Sequence, residues 1–341
     1  GLGDRRRTRR TAAWWGCCRL RHRRCSLPPH ALPHALLASR PPTRARAAAA
    51  AAMRALHERG NAYLSRGDAD AAVEAFEEMR ALAAALPLPE GRARSLMKAE
   101  GSLGIAWQSL GEHERAAEAL RAAIGVSEAL GDTRSAAALL SSLGLSYSAR
   151  GEHEHALARH AASLALSLQC GDRRGQGVEL GHLGNTFGDL GQLSQALPLH
   201  EAALAVARET GDWRAEGVHR ANLGGVLCSL GSHARAVDEL TAALALSRVV
   251  GDQEGECARL GSLGIAHSCL GKSTAAIRFY TAALTLSRRL GLPSSATHFA
   301  NLNELLLADQ RRTHQRQSAR SSGSPTHVGA GDAGASPRLE A

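Results

Sequence analysis

The chain has 341 residues, of which 44% are apolar and 3% aromatic, and its formal net charge is +9. A large core can be buried, and it must be built from Leu, Ala and Val rather than from rings. No run of 18 or more apolar residues occurs, which argues against a transmembrane helix, and seven Cys without a CxxC pair do not make the disulfide framework of a small secreted domain.

The charge is unevenly placed. Residues 1–52 carry twelve Arg and one Asp, and residues 311–341 carry five Arg and two acids, so residues 53–310 are net −5. The high pI therefore belongs to the ends. An acidic middle argues against a specific nucleic-acid partner.

Residues 1–46 are predicted to be a disordered arm. They hold the Arg runs Arg5 to Arg7 and Arg23-Arg24 and the Pro pairs Pro28-Pro29 and Pro41-Pro42, with no helical periodicity. An Arg-rich, acid-poor arm has the composition of an organelle transit segment. The alternative is an untranslated stretch of a GC-rich gene. Without import, the expected location is cytoplasmic.

From the Ala run at 47–52 onward the chain repeats. Gly-Asp recurs at 131, 171, 211 and 251, and Leu-Gly at 103, 143, 183, 223 and 263, both with a step of 40 residues. A second glycine follows seven residues after each Leu-Gly glycine, at 111, 151, 191, 231 and 271, and an alanine five later, at 116, 156, 196, 236 and 276. Such self-similarity marks a stacked repeat array.

Each unit reads as two helices. Asp of Gly-Asp caps the first, whose apolar residues fall at helical spacing, as in Leu180, Leu183, Phe187 and Leu190. The glycine inside it costs about 1 kcal/mol relative to Ala. Its recurrence implies a helix–helix contact so close that a Cβ would clash. The second glycine ends this helix in a left-handed cap. A second helix follows, as in Ala196, His200, Ala203 and Leu204, with His160 and His200 read as packing residues. The expected fold is all-α, an α-solenoid of about six hairpins over residues 47–310, closed by a capping helix from Ala296 to about Gln310. Residues 311–341, rich in Ser, Gly, Ala and Arg, read as a disordered tail.

The series Leu183, Gly184, Phe187, Gly191, Ala196, His200, Ala203 resembles the tetratricopeptide repeat, as does Gly60-Asn61-Ala62-Tyr63 with Gly67, Ala72 and Phe76. Ordinary units of that family have 34 residues. The 40-residue step with Gly-Asp linkers is similar to the units of the G-protein signalling modulators that orient mitotic spindles. Kinesin light chains and bacterial and algal signalling proteins also carry long units, although the His-Pro linker of the former is absent here.

The resemblance implies a right-handed superhelix whose first helices line a concave groove for a protein or peptide partner. Placed by repeat register, His57, Asn61, Lys98, Ser102, Gln108, Ser142, His182, Asn185, Asn222 and Ser262 face that groove. Asn61 and Asn185 stand where the family often holds a partner's backbone, and an amide both donates and accepts. The cationic places of the chaperone-tail clamp correspond to Ala138 and Ser142. Binding to acidic chaperone termini is therefore not expected. Leu305 to Leu307 and Asp309-Gln310-Arg311 echo a Gα-binding motif, but its two parts lie too close together.

A basic ladder stands out. Arg94, Arg134, Arg174 and Arg214 lie 40 apart at the starts of successive first helices, and the series stops at Glu254. Two readings are open: a row that pairs with the carboxylates of an acidic partner, or local ion pairs, for instance with a neighbouring Asp cap.

No catalytic constellation emerges, and no cofactor or metal is expected. Gly175-Gln176-Gly177 lies in a linker with no strand before it, unlike a dinucleotide loop. His153 and His155 lie two apart and do not share a helix face. Cys228, Cys257 and Cys269 fall inside the helical units as small apolar residues. The expected function is a non-catalytic protein-interaction scaffold. The alternatives are the regulatory part of a larger signalling enzyme and, against the acidic charge and scarce aromatics of the array, an RNA-binding helical repeat.

Overall fold

The computed structural model describes residues 44–86 and 89–322. The expected arm before residue 44 and the tail beyond 322 lie outside these. The chain divides into two units, Gly1–Ala48 and Ala49–Ala341. The first contributes only the opening of one helix to the described residues.

Among the described residues thirteen helices follow one another: α1 (Arg44–Ser65), α2 (Ala69–Ala84), α3 (Pro89–Ser109), α4 (His113–Ala129), α5 (Thr133–Ala149), α6 (His153–Gln169), α7 (Arg173–Asp189), α8 (Leu193–Glu209), α9 (Trp213–Ser229), α10 (His233–Val249), α11 (Gln253–Cys269), α12 (Ser273–Leu290) and α13 (Ser295–Ser322). Each packs on its chain neighbours, so the array is a tetratricopeptide-like solenoid of helical hairpins.

The turns keep a strict beat. Gly111 and every twentieth residue after it, to Gly291, has positive φ. There a side chain would meet the following carbonyl, which is why only glycine recurs. Asp132, Asp172, Asp212 and Asp252 cap α5, α7, α9 and α11 by accepting from the backbone N–H three residues on. Asp68 does the same for α2.

The expected close contact of the internal glycines is present in every hairpin. A Cβ on Gly104, Gly144, Gly184, Gly224 or Gly264 would lie 2.5–2.7 Å from Leu120, His160, His200, Leu240 or Tyr280, and one on Gly60 would strike Phe76. Ala72, Ala116, Ala156, Ala196, Ala236 and Ala276 are fully buried one turn earlier on the second helices. The core is thus a column of small residues beside a column of large ones, repeated along the stack.

Two limits differ from expectation. Helix α1 begins at Arg44, because Arg and Ala are strong helix formers. Helix α13 continues past Gln310 to Ser322, since no breaker intervenes before Gly323.

Besides their hairpin partners, α3, α5, α7, α9 and α11 touch one another in succession. No pair of even-numbered helices among the described residues packs to that extent. In a curved stack the inner layer is the one whose members approach most closely, so the odd helices line the inside.

Candidate partner-binding groove

Positions spaced four and three apart share a helix face. On α3 that places Arg94, Lys98, Gly101 and Ile105 in one stripe, repeated every 40 residues on α5, α7, α9 and α11. This stripe is the candidate site.

Arg94, Arg134, Arg174 and Arg214 are all exposed. No described carboxylate lies within ion-pair distance of any of them. The contrast with a chain neighbour is direct: Arg173 donates to Gln176 Oε1 and pairs with Glu209 at the next helix, whereas Arg174 pairs with no carboxylate among the described residues. Arg94 and Arg134 do act at longer range on the cap Asp132. Its carboxyl is held below the usual range, first by hydrogen bonds from the Ser135 backbone and hydroxyl and then by these two guanidiniums.

The other expected groove residues divide into free and spent groups. Lys98 and Ser102 line a cavity of about 530 Å³ between α1, α3 and α5, together with His57 and Ser142. The hydroxyls of Ser142 and Ser262 donate to Ala138 and Ala258 of their own helices, at 3.2 and 3.1 Å. Asn61 lies 3.3 Å from His57 Nδ1. Asn222 donates to Asn185 Oδ1 across α7 and α9, at 3.0 Å, so these two form one exposed amide pair. Gln108 uses its amide nitrogen within the stack, donating to Ser142 O at 2.6 Å and Ser146 Oγ at 2.8 Å.

His182 is drawn inward. Its ring stacks on His160 at 4.9 Å between centroids. Burial first, and the neighbouring His160 and His219 after it, push its pKa down, while Glu179 opposes them. His160 itself lies 2.9 Å from Glu179 Oε2, and both side chains are sealed from water.

The sequence reading overlooked an apolar component. Ile105, Leu145, Val178, Val218 and Ile265 are large hydrophobics exposed on odd helices. The signal was available: three of them follow the Leu-Gly glycine directly, and the other two sit six residues before it. The stripe therefore offers isolated apolar contacts with a cationic row at one edge.

Cys257 and Cys228 pack as structural elements, whereas Cys269, expected to pack with them, is exposed. Cys257 is buried, and its thiol is pushed up by burial. Cys228 is half-buried and also raised by burial. His155 stacks on Tyr147 and approaches Glu152. Among the described residues no helix is long and apolar enough to cross a membrane.

Models of the tetratricopeptide repeat match residues 54–79, 138–174, 176–246 and 215–289. The chain belongs to the tetratricopeptide repeat family. No curated protein sequence matches this tetratricopeptide protein. Among solved structures it is similar to BtubC (BKLC) from P. vanneervenii, with 20% identity and a TM-score of 0.55 over 70% of this chain and 92% of that one. It is also similar to the Signal Transduction ATPase with Numerous Domains protein PH0952 from Pyrococcus horikoshii, whose title names a tetratricopeptide repeat sensor. There the identity is 15% and the TM-score 0.63, over 79% of this chain and 41% of that longer one. Aspartyl phosphate phosphatase F from Bacillus subtilis matches at 13% identity and a TM-score of 0.57, over 77% and 72% of the two chains. A Rap protein solved in complex with Competence and Sporulation Factor matches at 13% and 0.56, over 76% of each chain. At these identities the likeness extends to the fold. The particular likeness to G-protein signalling modulators is not among these findings.

Proposed function

We infer that this tetratricopeptide protein is a non-catalytic scaffold that holds an extended, acidic partner segment along its odd-helix layer. The observation that carries this reading is the row Arg94, Arg134, Arg174 and Arg214, exposed and without an ion pair among the described residues, beside exposed apolar residues of the same stripe. Neighbouring helix axes in such a layer lie roughly 10 Å apart. An extended chain advances roughly 3.3 Å per residue. Carboxylates three residues apart would thus meet successive arginines. The Rap protein complexed with Competence and Sporulation Factor gives a precedent on the same fold.

The test is selection of a displayed random peptide library on the full chain, followed by affinity measurement with Arg134→Ala/Arg174→Ala. Selected peptides are expected to be rich in Asp and Glu. The double substitution is expected to weaken them about tenfold, since each exposed pair is worth up to about 1 kcal/mol. Unchanged affinity removes the ladder from the site, and an empty selection removes the groove.

A second reading has this array as the sensor part of a larger signalling enzyme. The match to 41% of the Pyrococcus horikoshii protein supports it. Recovery of the array within a longer polypeptide that has ATPase or phosphatase activity would favour that reading over the first.

A further inference from the structure

The chain contains three methionines, Met53, Met79 and Met97, and all three line a single cavity between α1, α2, α3 and α5, Met79 and Met97 from its buried side. Repeat register makes this concentration informative. Met53 and Met97 occupy the position held by Ala137, Gly177, Gly217 and Cys257 in later units. Met79 occupies the position held by Ala123, Ser163, Ala203, Ala243 and Ala283. Where every later hairpin closes its contact with small side chains, the first two use long, unbranched thioethers. A space of about 530 Å³ nevertheless remains open beside them.

Methionine is suited to a wall that must change shape. It has three rotatable bonds and a polarizable sulfur, and it can follow the outline of whatever is inserted. The mouth adds direction. Lys98 and Arg54 outnumber Glu58 in the lining, and Arg94 and Arg134 stand one turn further toward the helix starts. Ile105 and Leu139 complete the apolar side.

We propose that this cavity is an adaptable anchor site for one large apolar side chain of the acidic partner segment, accepting several side-chain shapes because methionines form part of its wall. This rests on the groove reading above and names the chemistry of its strongest subsite. The occupant is a segment with a Leu, Met or Phe flanked by carboxylates, as the cationic mouth requires.

The experiment uses the full chain and synthetic twelve-residue peptides. These have a Gly/Ser background, Asp at three positions spaced by three, and a central Leu, Met, Phe or Ala; binding is read by fluorescence anisotropy. The three large residues are expected to bind within about threefold of one another and about tenfold or more tighter than Ala. Ser102→Trp, which fills the cavity, and Ile105→Asp, at an exposed position, should each erase that difference. Replacing Met53 and Met97 together by Ile, which is stiff at χ1, should separate Leu from Phe by about tenfold. Equal binding of the Ala peptide, or an anchor preference that survives both Ser102→Trp and Ile105→Asp, overturns the proposal. If no peptide of the series binds while library-selected peptides do, the anchor falls and the groove stands. If the library also yields none, both fall.

Discussion

His160 Nδ1 lies 2.9 Å from Glu179 Oε2, joining α6 to α7 through two side chains sealed from water. At the same register His160 stands where Leu120 and Leu240 stand in other hairpins, and Glu179 where Leu139 does. The pair thus replaces an apolar contact. Breaking one side of such a pair leaves a buried group without its partner, at about 3–5 kcal/mol, whereas replacing both is near neutral. His160→Leu or Glu179→Leu alone is expected to lower stability by roughly that amount. The double substitution should recover most of it. Urea unfolding of the four proteins forms the cycle, and additive losses would mean the two residues do not act as a pair.

Burial depresses three neighbouring imidazoles. His200 is pushed down to about 4 by burial, with His219 adding to it. His219 is lowered by burial against a weaker pull from Asp212, and His182 is lowered as described above. As pH falls through about 6.5 the unfolded chain takes up protons that the folded one refuses. For His200 stability is therefore full above pH 7 and declines from about 6.5 toward about 4, by about 1.4 kcal/mol per pH unit, and the lowered His219 and His182 act in the same direction. His200 Nδ1 is also buried without a hydrogen-bond partner among the described residues. His200→Leu, the residue at the equivalent 120 and 240, is expected to raise stability by about 1 kcal/mol at pH 7 and to flatten the acid limb. Thermal melts from pH 4 to 8 measure both; an acid limb of unchanged slope would contradict the assignment.

Two glycines of α7 separate packing from propensity. A Cβ on Gly184 would come within 2.7 Å of the His200 ring, whereas one on Gly188 meets nothing within 4 Å. Gly184→Ala is expected to destabilise by about 1–3 kcal/mol through forced displacement of α8. Gly188→Ala should stabilise by about 1 kcal/mol, because only the helix propensity changes. Opposite shifts in melting temperature of the two variants are the expected result.

How much of this was legible beforehand follows from the range of each interaction. The hairpin count, the caps at Asp132, Asp172, Asp212 and Asp252, and the tight contacts at Gly104 to Gly264 could all be read from spacing. Each is fixed within one turn or one hairpin and then repeated. His160 and His200 pack inside their own hairpins, against Gly144 and Gly184, and are legible for the same reason. Gln108 was read as facing a partner, yet its amide nitrogen is used on Ser142 and Ser146, residues 34 and 38 further along. Asn222 and Asn185 satisfy each other across 37 residues. Helix α13 runs past the expected end near Gln310 because helix formers, though polar, continue to Ser322.

The sequence alone determined the repeating unit: a glycine beat of twenty residues, an Asp at alternate turns and a small–large pairing inside each hairpin. Those choices are imposed by backbone sterics and by a contact too close for a Cβ, and both act locally. Tertiary structure decided which polar groups remain available to a partner, which are consumed between helices, and where the three methionines converge on one space. These depend on the distance between neighbouring hairpins, which packing sets and no spacing of residues within a unit records.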